Sequence, residues 1–481
     1  MRIVHAASEL FPYLKTGGLA DVVGALANAL AERGHEVVAF LPGYRAVLDG
    51  LAAGATVAAP REFAVQLGEQ RLAGELLTLT PRPGLTVRVV CRPEFFDRQF
   101  PYWTGGRDYD DNDARFIFFQ KAVVEAMRRD GVAADVLHCH DWQTGLLPLL
   151  VRAEERRHRV SLAGRTVFTI HNVAYQGVFP RRSFALTNLP ESLLSMDGVE
   201  YYGKISLLKA GILFADQVTT VSPRYAQEIQ TTEFGCGLDG VIRTRANAFR
   251  GILNGIDSAV WNPAVDESLP ARYSVHDLSG KKVCRATLLA AFGWDEKFAG
   301  PIFASVSRMT KAKGHDFILG AQEFFAREDC KLVVLGAGER FYEEAYRRLA
   351  AAHPARIALS VSLDEARSHL LEAGADFFLM PSLTEPCGLN QMYSQAYGTV
   401  PLTSRVGGLV DTVVDLDERP EEGTGLMFEP GQTGFDEALR RARALFRDKE
   451  RLAAVRARGM RRDFSWAHAV GRYEQLYRPA P

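Results

Sequence analysis

The chain has 481 residues, enough for about three ordinary domains or two large ones, and too many for a lone small module. Hydrophobic residues make up 47% of it and charged residues 24%, which excludes the low-hydrophobicity, high-charge signature of disorder. Lys and Arg number 57 against 58 Asp and Glu, a net charge of −1, so no global field would hold nucleic acid or an anionic membrane.

Ile3 to Ser8 reads as a short buried strand. Leu19, Val22, Val23, Leu26, Ala27 and Leu30 then recur at the i, i+3, i+4 spacing of a helix that Gly34 stops, and Glu36 to Pro42 is again strand-like. The first 42 residues therefore spell one βαβ unit, with Lys15, Gly17 and Gly18 in its crossover loop. Val136–His140, Thr166–Ile170 and Gln217–Val221 look like further strands ending at polar residues, the alternation of an α/β protein. Between Arg250 and Pro263 the run RGILNGIDSAVWNP ends a strand in an Asn-Gly turn, and a domain boundary is placed there. Beyond it Pro301–Ser307, Lys331–Leu335, Ile357–Val361, Asp376–Pro381 and Val400–Ser404 are apolar runs separated by helical patterns such as Phe317, Ile318, Ala321, Phe324 and Phe325. The acidic stretch Asp415–Gly423 is expected to be a solvated loop. The expected fold class is α/β, with two Rossmann-like, doubly wound parallel-sheet domains over 1–250 and 265–458 and a linker over 251–264. Such sheets bind ligands beyond the carboxyl ends of their strands, so two facing sheets would make one cleft.

Six cysteines at 91, 139, 236, 284, 330 and 387 stand singly, with no C-x-x-C pair, which points to a reducing, cytoplasmic compartment. The opening residues lack the basic start, apolar run and cleavage site of a secretory signal, and no apolar stretch approaches about 18 residues. A soluble protein is expected.

The loop Lys15-Thr16-Gly17-Gly18 opens a helix, where free N–H groups, the dipole and a lysine would suit a phosphate; a tight turn with a solvated Lys15 explains it equally well. Asp21 is ambiguous in the same way, since a first-turn acid also favours a helix without any ligand. Arg308 and Lys313 follow a strand in Ser-Arg-Met-Thr-Lys-Ala-Lys-Gly, two cations placed where a diphosphate could lie without a metal, although basic loops are usually just solvated. Glu385, in Thr384-Glu385-Pro386-Cys387-Gly388-Leu389, stands at a strand end as a helix cap or a grip for sugar hydroxyls. His138, His140, Asp141 and His171 end two strands, yet no H-E-x-x-H or cysteine cluster accompanies them, and a hydrogen-bonding role is expected rather than zinc. Asp108, Asp110, Asp111 and Asp113 lack the glycine and glutamate of an EF-hand and read as a solvated loop. Gly336-Ala337-Gly338 continues into Glu339, Arg340 and Phe341 without the third glycine of a dinucleotide fingerprint, and no P-loop or G-x-S-x-G is present.

Taken together, Lys15-Thr16-Gly17-Gly18-Leu19-Ala20-Asp21, His140-Asp141-Trp142, His171-Asn172-Val173-Ala174-Tyr175-Gln176-Gly177, Leu253-Asn254-Gly255-Ile256-Asp257 and Glu385-Pro386-Cys387-Gly388-Leu389 resemble the bacterial glycogen synthases and plant starch synthases over nearly the whole chain. The resemblance implies a GT-B fold and a retaining glycosyltransferase that moves glucose from ADP-glucose to the non-reducing end of an α-1,4-glucan. It implies no metal or other cofactor, and a last helix, within 459–481, that crosses back to the first domain. Catalytic roles would fall to Glu385, Arg308, Lys313 and His171. Lys15, Gly18, Asp21, Asn172, Asn254, Cys387, Gly388 and Leu389 would bind the donor, and Asp141 and Tyr102 the acceptor. Tyr393 stands where many retaining GT-B families have a second Glu, which favours this branch over sucrose- or trehalose-type enzymes. Leu363, Asn390 and Val406 depart from the family pattern near the expected nucleotide and donor positions. The alternatives are another retaining GT-B glucosyltransferase with a different donor or a small acceptor, and a weakly active glucan-binding protein.

Overall fold

The computed structural model describes residues 1–52, 57–104, 106–131, 133–362 and 364–478, so Leu363 lies outside the described residues. The chain divides into two compact units, Met1–Gly255 with Trp466–Pro481, and Ile256–Ser465.

The first unit is built on a nine-stranded sheet in the order Phe249–Gly251, Gln217–Thr220, Ala163–Ile170, Ala134–His140, Arg2–Ala6, Glu36–Pro42, Leu85–Cys91, Gln70–Arg82, Arg61–Leu67. The first seven run parallel, and the last two add an antiparallel hairpin to the edge. The parallel strands read as continuous apolar runs because both of their faces are buried: Ile3, Val37, Val136, Val167 and Val218 are all fully buried. The amphipathic helix Trp466–Tyr477 completes this unit. It buries Val470, Tyr473 and Tyr477, its Glu474 accepts hydrogen bonds from Arg33, and the Leu476 and Arg478 carbonyls accept from Arg165.

The second unit carries six parallel strands in the order Ile357–Ser360, Lys331–Leu335, Ile302–Val306, Phe377–Met380, Val400–Ser404, Leu426–Phe428. In chain order that is 3-2-1-4-5-6, the doubly wound arrangement. Residues 256–264, expected to be a linker, belong to this unit, as do 459–465. The reason is packing. Trp261 is sandwiched between the His369 and Tyr393 rings at centroid distances of 3.8 and 3.7 Å, and the Ile256 N–H donates to the Phe464 carbonyl. The Asp415–Gly423 stretch is likewise only partly solvated, since Asp415 is buried and accepts from the Met427 N–H and from Arg441. In the acidic run near the chain's first quarter, Asp111 takes Arg98 and Asp113 takes the Ser183 hydroxyl.

Candidate active site

In a doubly wound sheet a crevice opens where neighbouring strands send their connections to opposite faces. In the first unit this switch lies between Arg2–Ala6 and Ala134–His140. The Lys15 loop follows the first of these strands, Asp141 directly follows the second, and His171 ends the next strand over.

Lys15 Nζ lies 3.0 Å from Asp21 Oδ1, so the first-turn acid holds the lysine of the loop. The helix Gly18–Glu32 starts with no side-chain cap, and of its first-turn N–H groups that of Ala20 donates to the Gly17 carbonyl. Glu9 was not singled out in the sequence. It is 4% exposed and accepts from the Thr16 N–H at 2.5 Å, the Thr16 hydroxyl at 2.6 Å and Tyr102 Oη at 2.6 Å, so one carboxylate braces both the Lys15 loop and Tyr102. Burial, with Glu9 alongside, pushes the Tyr102 phenol well above its ordinary value. The only signal was Glu9's position just past a strand end.

Asp141 adopts φ 57°, ψ −177°, a region that only glycine enters freely, at a cost on the order of 1–3 kcal/mol. Its neighbours over-determine this geometry. The Asp141 N–H donates to the Thr169 carbonyl, its own carbonyl accepts from the Thr144 N–H, and Oδ1 accepts from the His171 N–H at 2.7 Å. The Asp141 carboxylate therefore positions the backbone of His171. Asn172 Oδ1 is turned onto the Ala174 N–H, and Asn254 is buried at the end of the sheet's edge strand with its Oδ1 unpartnered among the described residues.

Burial raises the Asp141 carboxyl to about 7, while the His171 and Asn172 N–H groups pull the other way. The folded state thus holds a proton that the unfolded chain releases near pH 4, and the stability this proton lends is lost as pH rises through about 7. Asp141→Asn should remove that slope, gaining on the order of 2–4 kcal/mol relative to wild type between about pH 4 and 7. Denaturant melts across this range check it; parallel profiles for the two proteins would rule it out.

In the second unit the switch lies between Ile302–Val306 and Phe377–Met380, with Arg308 and Lys313 beyond one strand and Glu385 beyond the other. Lys313 Nζ donates to both Glu385 oxygens, at 2.8 and 2.6 Å, and Ser382 Oγ donates to Oε2 at 2.9 Å. Glu385 is 5% exposed. The two loops are joined by the Leu383 N–H donating to the Ala312 carbonyl. Arg308 is exposed, and its carbonyl meets His315 Nε2 at 3.2 Å. Cys387 is buried while Gly388 and Leu389 are half-buried ahead of the helix Asn390–Ala396. Asn390 Nδ2 donates to the Val306 carbonyl, and Val406 packs with Leu409, Val413 and Met427. The structure therefore brings together Lys313 with Glu385, Asp141 with His171, and Lys15 with Asp21.

Among the described residues His5, His138 and His140 form a buried group whose ligand atoms lie within 4.8 Å of one another. Among the described residues all of their nitrogens except His5 Nε2 are already engaged. His138 meets Tyr477 Oη and Thr169 Oγ1, and His140 meets His5 and His171. A metal ion would have to displace these bonds, so the donor set does not fit one.

A family model for the starch synthase catalytic domain matches residues 2–244, and one for glycosyl transferases group 1 matches residues 292–462. The chain is 59% identical over 480 residues to a glycogen synthase of Opitutus terrae, covering 99% of both chains. It belongs to the glycogen and starch synthase family. It is 45% identical to glycogen synthase 1 of Methylococcus capsulatus, over all of this chain and 97% of that one. The catalytic domain of starch synthase IV from Arabidopsis thaliana, solved bound to ADP and acarbose, superposes with a TM-score of 0.90 at 31% identity, covering 99% of this chain and 98% of that one. The family's two Rossmann-like units are the GT-B fold, and the protein is a glycosyltransferase. Among the described residues no helix is long and apolar enough to cross a membrane.

Proposed function

We propose that this chain transfers glucose from ADP-glucose to the non-reducing end of an α-1,4-glucan with retention of configuration, in the cytoplasm and without a metal. The observation that carries the reading is the Lys313–Glu385 pair at the switch of the second sheet. It holds one cation and one carboxylate, the two functions that a sugar diphosphate needs. When the donor binds, the ammonium exchanges the carboxylate for a phosphate oxygen and Glu385 turns to sugar hydroxyls. A cation about 4 Å from a phosphate oxygen contributes on the order of 4 kcal/mol gross at an effective dielectric of about 20. Arg308 supplies a second cation. In the first unit the Lys15 loop offers its own lysine at a helix start to an anion.

The acceptor O4 then attacks the anomeric carbon on the face the diphosphate leaves. The C1–O bond to phosphate breaks, and the O4 proton passes to the departing phosphate oxygen. No second carboxylate takes part, in keeping with Tyr393, whose ring is stacked on Trp261. Incubating the protein with glycogen and labelled ADP-glucose or UDP-glucose, without added metal, should put label into polymer, with ADP-glucose the better donor. Maltose and glucose as acceptors should be poorer than glycogen. Absence of transfer from either donor, or an absolute need for a divalent ion, would sink the reading.

A further inference from the structure

His5, His140 and His171 sit on three neighbouring strands of the first sheet and form a chain of ring-to-ring hydrogen bonds. His5 Nδ1 lies 3.1 Å from His140 Nε2, and His140 Nδ1 lies 3.0 Å from His171 Nε2. His5 and His140 are fully buried, and His171 is 8% exposed. Burial pushes His5 and His171 down to about 3 and His140 well below its ordinary value, so all three rings are neutral at working pH.

A neutral imidazole has one N–H and one acceptor nitrogen. Each of the two links needs a single proton, so the rings must all carry it on Nδ1 or all on Nε2. Any mixture sets N–H against N–H, or lone pair against lone pair. The far end of the chain chooses between the two states. His5 Nε2 is sealed from solvent and has no partner among the described residues. With the proton there, the fold would bury an orphan donor; with the proton on Nδ1 it buries a lone pair without a partner, and unsatisfied acceptors are the less rare of the two defects. This outweighs the slight preference of a free imidazole side chain for Nε2. His171 Nδ1, which takes no hydrogen bond among the described residues, then carries the proton.

We propose that His5 and His140 are positioning residues that place the proton of His171 on Nδ1, so that this ring offers a hydrogen-bond donor to an oxygen of the ligand bound at the switch of the first sheet. The identity of that ligand rests on the function proposed above; the tautomer does not. Glutamate and aspartate side chains take no part in either link, and His138 stands beside the chain with both nitrogens engaged elsewhere.

The test is the tautomeric state of His171 in protein labelled with ¹⁵N-histidine, read from long-range ¹H–¹⁵N correlations near neutral pH. Wild type should show His171 as the Nδ1–H form. His5→Leu removes the first donor of the chain, so His171 should divide between the two forms and kcat should fall about 10-fold with the KM for glucan unchanged. His5→Asn returns an amide N–H to the place of Nδ1 and should recover both the tautomer and most of the rate. His171 in the Nε2–H form in wild type, or an unchanged tautomer in His5→Leu, overturns the proposal. A protein that transfers no glucose yet shows the Nδ1–H form would count against the proposed reaction and leave the relay standing.

Discussion

Replacing Lys313 with alanine lowers kcat by about 10²–10³-fold while the KM for glucan stays near its original value. The ammonium meets charge that develops as the diphosphate departs, and glucan binding does not depend on it. The same substitution strips Glu385 of the group that bonds both its oxygens and leaves Ser382 Oγ donating to a carboxylate with 6% of its side chain exposed. Stability should therefore fall as well, by about 1–3 kcal/mol. A double-mutant comparison separates the two effects. Lys313→Ala with Glu385→Gln removes the stranded charge and should regain most of the lost stability, while the rate stays low. A single variant that turns over at a near-normal rate would remove Lys313 from the chemistry.

Gly314→Ala costs more than about 3 kcal/mol, the margin expected when overpacking adds to backbone strain. Gly314 has φ +71°, and a Cβ there would stand 1.7 Å from the Pro381 carbonyl oxygen and 2.6 Å from its carbon. Neither the peptide of Pro381 nor the loop that follows Lys313 can yield without moving Ser382 and Glu385. Activity should therefore fall together with stability. Gly34→Ala is the control. Its φ is +84°, but nothing lies within 4 Å of the place its new methyl would take, so the cost should be only the backbone's own, about 1–2 kcal/mol, with kcat retained. Denaturant melts and initial rates on both variants decide the matter; equal losses would show that the Pro381 contact is readily relieved.

The strands that carry the site loops were legible in the sequence because buried parallel strands read as unbroken apolar runs, whereas their order in the sheet, which places each switch, was not. The antiparallel hairpin over 61–82 was missed. One of its faces is wet, so charged residues such as Arg61, Glu62 and Arg71 interrupt its hydrophobic pattern. The run around Trp261 looked like a linker because small residues and a proline surround it; the aromatic stack that binds it into the second unit depends on rings more than 100 residues away. Asp141 and His171 were recognisable by residue type and position. The strained backbone of Asp141 was not, since no local pattern announces a non-glycine residue at positive φ. His5 was invisible for another reason: a residue in an apolar strand gains its meaning from the strand beside it, and only the sheet order sets His5 opposite His138 and on the same face as His140.

The second unit is one uninterrupted stretch of chain, whereas the first is assembled from residues 1–255 and a helix that follows residue 465. On the ribosome, domains usually finish in the order in which they are made. Here the order is reversed. The first unit emerges early but waits for Tyr477 to cover His138 and for Glu474 to take Arg33, by which time every residue of the second unit has been synthesised. The half-built first sheet must stay free of wrong partners throughout that interval, and a chain stopped short of the last helix would spoil the unit made first.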